Sequence, residues 1–365
     1  MKTVYIVGAG LSYYAGLPLQ SDFTKELLAA RDFDEGPSQA MVSHLDEFVH
    51  RVFHLPTDAE PSQWPELEDI FTFIDLSANT GHHLGQRHSP KDLRRIRRVL
   101  IARIIRMLHQ SYRKAQRSSN EKWVQLVNFV KRLNVTESRI ISLNWDTSLE
   151  SIILENHPGC HLSYGKSIRP AVFRGDNEIE TFEADSASEI QISKMHGSMN
   201  WLYCDNCRRI FWFPPTETLK VADQIIRKDE WKTIDPEFKP KKARGCCFCG
   251  VELGTRIATF SYRKALDFRM FQRSWERAER HLRDCDRWVF IGYSLPGADF
   301  EFKYLLKRVE LARAKQPHIT VVSGGCEEAT SRTLKNYQGI FGKRIEDTVT
   351  FHRGGLEAKT IQQIT

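Results

Sequence analysis

Two cysteine pairs and four short polar motifs are the residues of this chain whose types and spacing suit chemistry. Cys204-x-x-Cys207 and Cys246-x-x-Cys249 each present two thiolates at a spacing that turns both onto one metal ion. Together they supply the closed, four-thiolate shell of a structural zinc site. A redox pair or a decayed metal site is the other reading of such spacing. Thirty-eight residues separate Cys207 from Cys246, more than a zinc-ribbon loop needs, so an insertion lies between the two pairs. Cys247 competes as a ligand, but the i, i+3 spacing favours Cys246.

Gly8-Ala9-Gly10-Leu11-Ser12 follows an apolar run, Thr3 to Val7, and precedes a helix. Glycine there lets the backbone approach a phosphate, and a helix N-terminus favours negative charge. The dinucleotide fingerprint G-x-G-x-x-G wants a third glycine where this chain has Tyr13, so an ordinary nicotinamide dehydrogenase fits poorly. A tight turn is the simpler use of G-x-G. Asn144-Trp145-Asp146 and Met195-His196-Gly197-Ser198 each end a predicted strand, where polar side chains of an open sheet face the ligand crevice. The amide and carboxylate suit a ribose or a carboxamide; an Asx turn capping the next helix explains the same residues. A histidine with its ordinary pKa near ~6.5 can act as a base around neutral pH, although a lone histidine is commonly structural. Ile291-Gly292-Tyr293-Ser294-Leu295-Pro296 ends another strand and suits phosphate contact or a plain turn.

Buried parallel strands are predicted at 3–7, 139–144, 189–195, 288–293 and 319–323, with a weaker one at 349–352. Helical periodicity between the later strands covers 264–283, 300–314 and 328–341, so strand and helix alternate as in a doubly wound sheet. The first two strands are too far apart for a simple crossover. The intervening residues read as helices: one after Pro65 through Leu67, Ile70, Phe71 and Ile74, one through Leu93 to Leu108, and one through Trp123 to Leu133. Ser118 with Glu121 reads as the last one's capping box, and 37–65 and 79–90 read as loops. The expected fold is α/β, a Rossmann-like doubly wound parallel sheet with a helical insertion and a small zinc-ribbon module. The Rossmann-like part takes residues 1–22, 139–196 and 263–365, the insertion 23–138 and the zinc module 197–262.

The chain has 365 residues and a net charge of +7, which permits an anionic partner without requiring one. No apolar run approaches the ~20 residues that span a bilayer, and the N-terminal apolar stretch reads as a strand. With no export signal read and no paired spacing among Cys160, Cys247, Cys285 and Cys326, free thiols and a cytoplasmic location are expected. Ten lysines and arginines fall between Lys91 and Arg117. They read as a solvated helix face, or as a contact for nucleic acid or an acidic protein.

In order, Gly8-Ala-Gly-x-Ser12…Ala15-Gly16-x-Pro18, Asn144-x-Asp146, His196-Gly197, the two C-x-x-C pairs and Gly292-x-Ser294-Leu295 resemble the sirtuin family. The likeness runs from Met1 to about Ser323. Within the insertion only Leu67-Glu-Asp-Ile-Phe71 is similar to a helix of prokaryotic sirtuin-like proteins. The resemblance implies NAD bound between a Rossmann-like domain and a smaller zinc-plus-helix module, and cleavage of its nicotinamide–ribose bond. It implies that Gly8, Ala9, Gly10 and Ser12 surround the pyrophosphate, with Gly16 and Pro18 in the same NAD-binding segment. Asn144 would hold the nicotinamide-side ribose, Asp146 the carboxamide, and His196 would be the base. Gly292 and Ser294 would meet the phosphates, and Ser323 the adenosine.

Leu19-Gln20-Ser21, Leu143 and Phe260-Ser261-Tyr262 stand where deacylating sirtuins carry Asp-Phe-Arg, Gln and Phe-Gly-Glu. Phe213-Pro-Pro-Thr216 and Gly-Tyr-Ser-Leu-Pro are instead similar to a bacterial branch that hydrolyses NAD in defence against phage. That branch implies a homo-oligomer and a separately encoded partner, of ATPase or helicase type or another phage sensor. An NAD-dependent protein deacylase and a non-catalytic NAD or ADP-ribose sensor are the competing expectations.

Overall fold

The computed structural model describes residues 2–29, 37–60, 63–175, 178–183, 188–239, 241–243, 245–255, 257, 271–342 and 349–365. Phe260-Ser261-Tyr262 and the first part of the helix expected from Lys264 lie outside them. Among the described residues a seven-stranded sheet has the order β11 (Val349–His352), β10 (His318–Val322), β9 (Arg287–Ile291), β1 (Thr3–Val7), β2 (Ser138–Ser142), β6 (Glu189–Lys194), β3 (His161–Ser163). Every neighbouring pair in it is parallel. Val7 at the end of β1 pairs with Ser142 on one side and Ile291 on the other. The strand order reverses at β1, and such a switch point opens a crevice beyond the strand ends.

Strand residues are apolar in runs because both faces of the sheet are covered. Tyr5, Val7, Val289 and Ile291 join one core cluster, whereas Val4, Ile6, Trp288 and Phe290 join another. The first face is covered by α1 (Ala9–Tyr14), α6 (Glu121–Arg132), α7 (Ser148–Asn156) and α13 (Ala358–Ile364). The second is covered by α10 (Gln272–Asp284), α11 (Phe300–Ala312) and α12 (Glu327–Phe341). By sequence α6 belongs to the insertion; in the structure it packs on the sheet, with Phe129 edge-on to Tyr5 at 5.6 Å.

Four further helices form a layer over this face. They are α2 (Phe23–Leu28), α3 (Pro37–Val52), α4 (Leu67–Thr80) and the long α5 (Pro90–Ser118). Ser89 and Asp92 cap α5 reciprocally, with proline in its first turn, which defines its start. Two expectations fail here. Residues 37–65 are not all loop, because α3 buries Met41, Leu45, Phe48 and Val49 at helical spacing. Ser118 does not cap α6, because it is still the last residue of α5; Asn120 accepts the Trp123 amide instead.

A second sheet has the order β5 (Glu178–Thr181), β4 (Ile168–Arg174), β8 (Ile210–Trp212), β7 (Trp201–Tyr203). It draws β4 and β5 from the stretch assigned by sequence to the Rossmann-like part. Its own small core stacks Phe173 on Phe213 at 4.4 Å beside Cys204 and Cys246. Between the cysteine pairs lie α8 (Thr218–Ile225) and α9 (Lys228–Ile234), which pack on α5 and α3. Ion pairs fasten the contact, Arg98 to Glu230 and Arg106 to Asp223. Arg97 likewise pairs with Asp75 at 2.8 Å, and fully buried Arg103 donates to the Leu27 and Ala29 carbonyls that end α2. Four of the run's ten basic residues are thus engaged within the fold. Among the described residues no helix is long and apolar enough to cross a membrane.

Candidate active site

A cleft of about 820 Å³ opens beyond the carboxyl ends of β1, β2, β6, β9, β10 and β11. Its walls include Gly8, Ala9, Gly10, Ser12, Pro18, Asn144, Asp146, His196, Gly292, Ser294 and Ser323. Residues separated by more than three hundred positions thus face one space, within the volume range of small-molecule sites. Gly16 is the exception. It turns at φ +78 behind the wall, where a Cβ would lie 2.5 Å from the Ala115 Cβ. Glycine is needed there so that the end of α1 can close onto α5.

The glycine turn is also bonded to the neighbouring strand end. The Gly8 and Gly10 amides donate to the Ile291 and Gly292 carbonyls at 3.1 and 2.8 Å. A Cβ on Gly10 would lie 2.7 Å from the Gly292 Cα, and one on Gly292 (φ +61) would lie 2.3 Å from the Leu11 nitrogen. These glycines therefore let two backbone segments touch, and that contact shapes the cleft floor.

Asn144 fastens β2 to this turn. Its side-chain amide donates to the Gly8 carbonyl and the Ser12 hydroxyl, both at 2.9 Å. The Ser12 hydroxyl in turn donates to Asp146 Oδ2 at 2.6 Å. Asp146 Oδ1 accepts the Ser148 amide at 2.9 Å, so the Asx turn at the start of α7 and the placement in the cleft coexist in one side chain.

Behind this trio lies an ion pair that sequence reasoning missed. Lys194, fully buried at the end of β6, contacts Glu150 at 3.0 Å and donates to the Asp146 carbonyl at 2.6 Å. Tyr164 donates to the same carboxylate at 3.3 Å, and burial plus the Glu150 charge holds its ionisation well above the ordinary range. Lys194→Met strands the Glu150 charge in the interior and should destabilise the protein by about 3–5 kcal/mol in urea titrations. Lys194→Met/Glu150→Leu should cost less than Lys194→Met alone. Equal or greater loss in the double variant would show that the pair's charges are not what matters.

His196 faces the cleft from the turn after β6, its Nε2 4.0 Å from Asp299 Oδ1. Tyr293 donates to the other oxygen of Asp299 at 2.9 Å. Between Tyr293 and Asp299 the chain passes through Leu295 at φ 54, fully buried, a left-handed conformation uncommon for a leucine. Neither Asp299 nor Tyr293 was singled out by sequence. The available signal was an aspartate five residues beyond Ser294, at the start of the next helix.

The four cysteines lie away from the cleft. Their sulfurs all fall within 4.8 Å of one another, with Cys204 to Cys249 at 3.4 Å and Cys207 to Cys246 at 3.6 Å. Sulfurs bonded tetrahedrally to zinc at ~2.3 Å stand roughly 3.8 Å apart, so the set fits a structural zinc ion. Cys204 and Cys246 are buried, whereas Cys247 is exposed and outside the group. Hydrogen bonds from the Val251 amide and from Asn206 hold the Cys249 thiol down to about 6, while burial pushes Cys246 up to about 12.

A parallel doubly wound sheet with its cleft at the switch point, joined to a four-thiolate module, defines an α/β protein of the Rossmann-like class. Three similar solved structures carry descriptions naming Sir2 enzymes. One, described as the structural basis for the mechanism and regulation of Sir2 enzymes, is 16% identical; the match covers 99% of this chain and 89% of that one, with a TM-score of 0.34. A Sir2 protein bound to a propionylated peptide is 12% identical, over 100% and 91%, at a TM-score of 0.39. A Sir2 complex with a p53 peptide and NAD+ is 12% identical, over 100% and 91%, at 0.37. No family profile matches the chain. No curated protein matches it either.

Proposed function

We propose that the protein is an NAD hydrolase that cleaves NAD to nicotinamide and ADP-ribose, as an effector of prokaryotic defence against phage. The observation that supports this most is the convergence of Asn144, Asp146 and His196 on one cleft with the glycine turn. Those residues carry the sirtuin resemblance in the sequence, and they come from segments with no local reason to meet.

The chemistry asks little of the protein. The bond from ribose C1′ to the pyridinium nitrogen breaks, and its electron pair stays on nitrogen, so nicotinamide leaves neutral without a general acid. The oxocarbenium-like centre at C1′ takes a water oxygen, and His196 accepts the proton. Asn144 and Asp146 orient the ribose and carboxamide; Ser12 links the two side chains. The paired carboxylates of ordinary glycosidases are not needed. Leu19, Gln20, Ser21 and Leu143 line the same cleft at positions where deacylating sirtuins carry other residues, which favours water over an acyl-lysine as acceptor.

The test is nicotinamide release from NAD by the purified protein, with and without an acyl-lysine peptide. Hydrolysis is expected with NAD alone and unchanged by peptide. Release that requires peptide would make the protein a deacylase. Saturable binding with no product at any protein concentration would make it a sensor.

A further inference from the structure

Resting on the reading of His196 as the base, we infer that Asp299 is its positioning residue, held in turn by Tyr293. The two side chains face each other across the cleft wall at 4.0 Å, both nearly buried. Catalytic hydrogen bonds are commonly this long outside the Michaelis complex and tighten within it.

Three observations assign Asp299 to the histidine and not to its own helix. It is the N-cap of α11, a position where aspartate ordinarily accepts an amide of the first turn, yet its side chain makes no capping hydrogen bond. Its Oδ2 accepts from the Tyr293 hydroxyl at 2.9 Å, and its Oδ1 lies 4.0 Å from His196 Nε2. Tyr293 is itself fixed, since the Tyr337 hydroxyl donates to its carbonyl at 2.9 Å. Burial and the neighbouring Asp299 charge keep the Tyr293 phenol protonated, so it donates throughout the working pH range. The Asp299 carboxylate then selects the ring orientation and steadies the imidazolium that forms when His196 takes the proton.

Asp299→Asn keeps the shape and removes the charge. It should lower kcat for nicotinamide release about 100-fold, with KM for NAD within about twofold. Tyr293→Phe should give a smaller loss in the same direction. In a His196→Ala background Asp299→Asn should cost nothing further, because its effect passes through the ring. The acid limb of the pH–rate profile should move to lower pH in Asp299→Asn, since a nearby carboxylate favours the protonated imidazole. Glu68, Lys122, Asp146, Arg332 and Arg353 also line the cleft and are unchanged in that variant. A titration of the His196 ring by NMR, assigned by its absence in His196→Ala, needs no turnover; its midpoint should fall in Asp299→Asn. An unmoved midpoint, or the same fractional loss with and without His196, overturns the inference. A moved midpoint in a protein that releases no nicotinamide keeps the pair and refutes the hydrolase.

Discussion

His196→Ala should lower nicotinamide release from NAD by about 10²–10⁴-fold, the usual contribution of a positioned general base. On the proposed hydrolysis the loss should fall on kcat, because the ring would take a proton in the reaction and would not hold the dinucleotide. Asn144→Ala should be almost as damaging for another reason. Its amide bridges the Gly8 carbonyl and Ser12 hydroxyl, so its removal loosens the Ser12–Asp146 contact along with the proposed ribose contact. Nicotinamide quantified by chromatography checks both variants, with melting curves to exclude unfolding. Full turnover in both would refute the site assignment.

Removing zinc should be the largest perturbation to stability. Structural zinc sites in zinc-finger peptides bind the metal with about 10–16 kcal/mol of apparent free energy. The small core of Phe173, Leu202, Phe211 and Phe213 is built around Cys204 and Cys246. Elemental analysis should find zinc in the wild-type protein and none in Cys204→Ser, and the variant's module should open to protease. The damage should spread, because α8 and α9 between the cysteine pairs are ion-paired to Arg98 and Arg106 of α5. A lowered melting temperature, by roughly 10 °C or more, is expected in Cys204→Ser but not in Cys247→Ser, whose thiol is exposed and outside the cluster. Equal effects from the two would mean that the four cysteines do not act as one site.

The central strands were legible in the sequence because burial on both faces leaves an unbroken apolar run, as in Val4 to Val7. The long helix α5 was legible from its apolar face, and the cysteine pairs from their spacing alone. Helix α3 was not, since Met41, Leu45 and Phe48 stand among Ser43, His44, Asp46 and Glu47, which dilute its apolar stripe. The second sheet was also illegible. Its strands are three to seven residues long, and β4 pairs with β8 forty-two residues later, a register that depends on packing and not on local preference.

Composition and spacing alone determine that this chain builds a parallel sheet, a thiolate cluster and polar strand ends, because each of these depends on residues close together in the chain. Which polar groups meet was decided by the packed fold. Gly8 and Gly10 turned out to touch Gly292, Lys194 to hold the Asp146 backbone, and Asp299 to face His196. Those contacts join segments more than forty to nearly three hundred residues apart. Their geometry follows from strand order and helix packing, which no local pattern encodes.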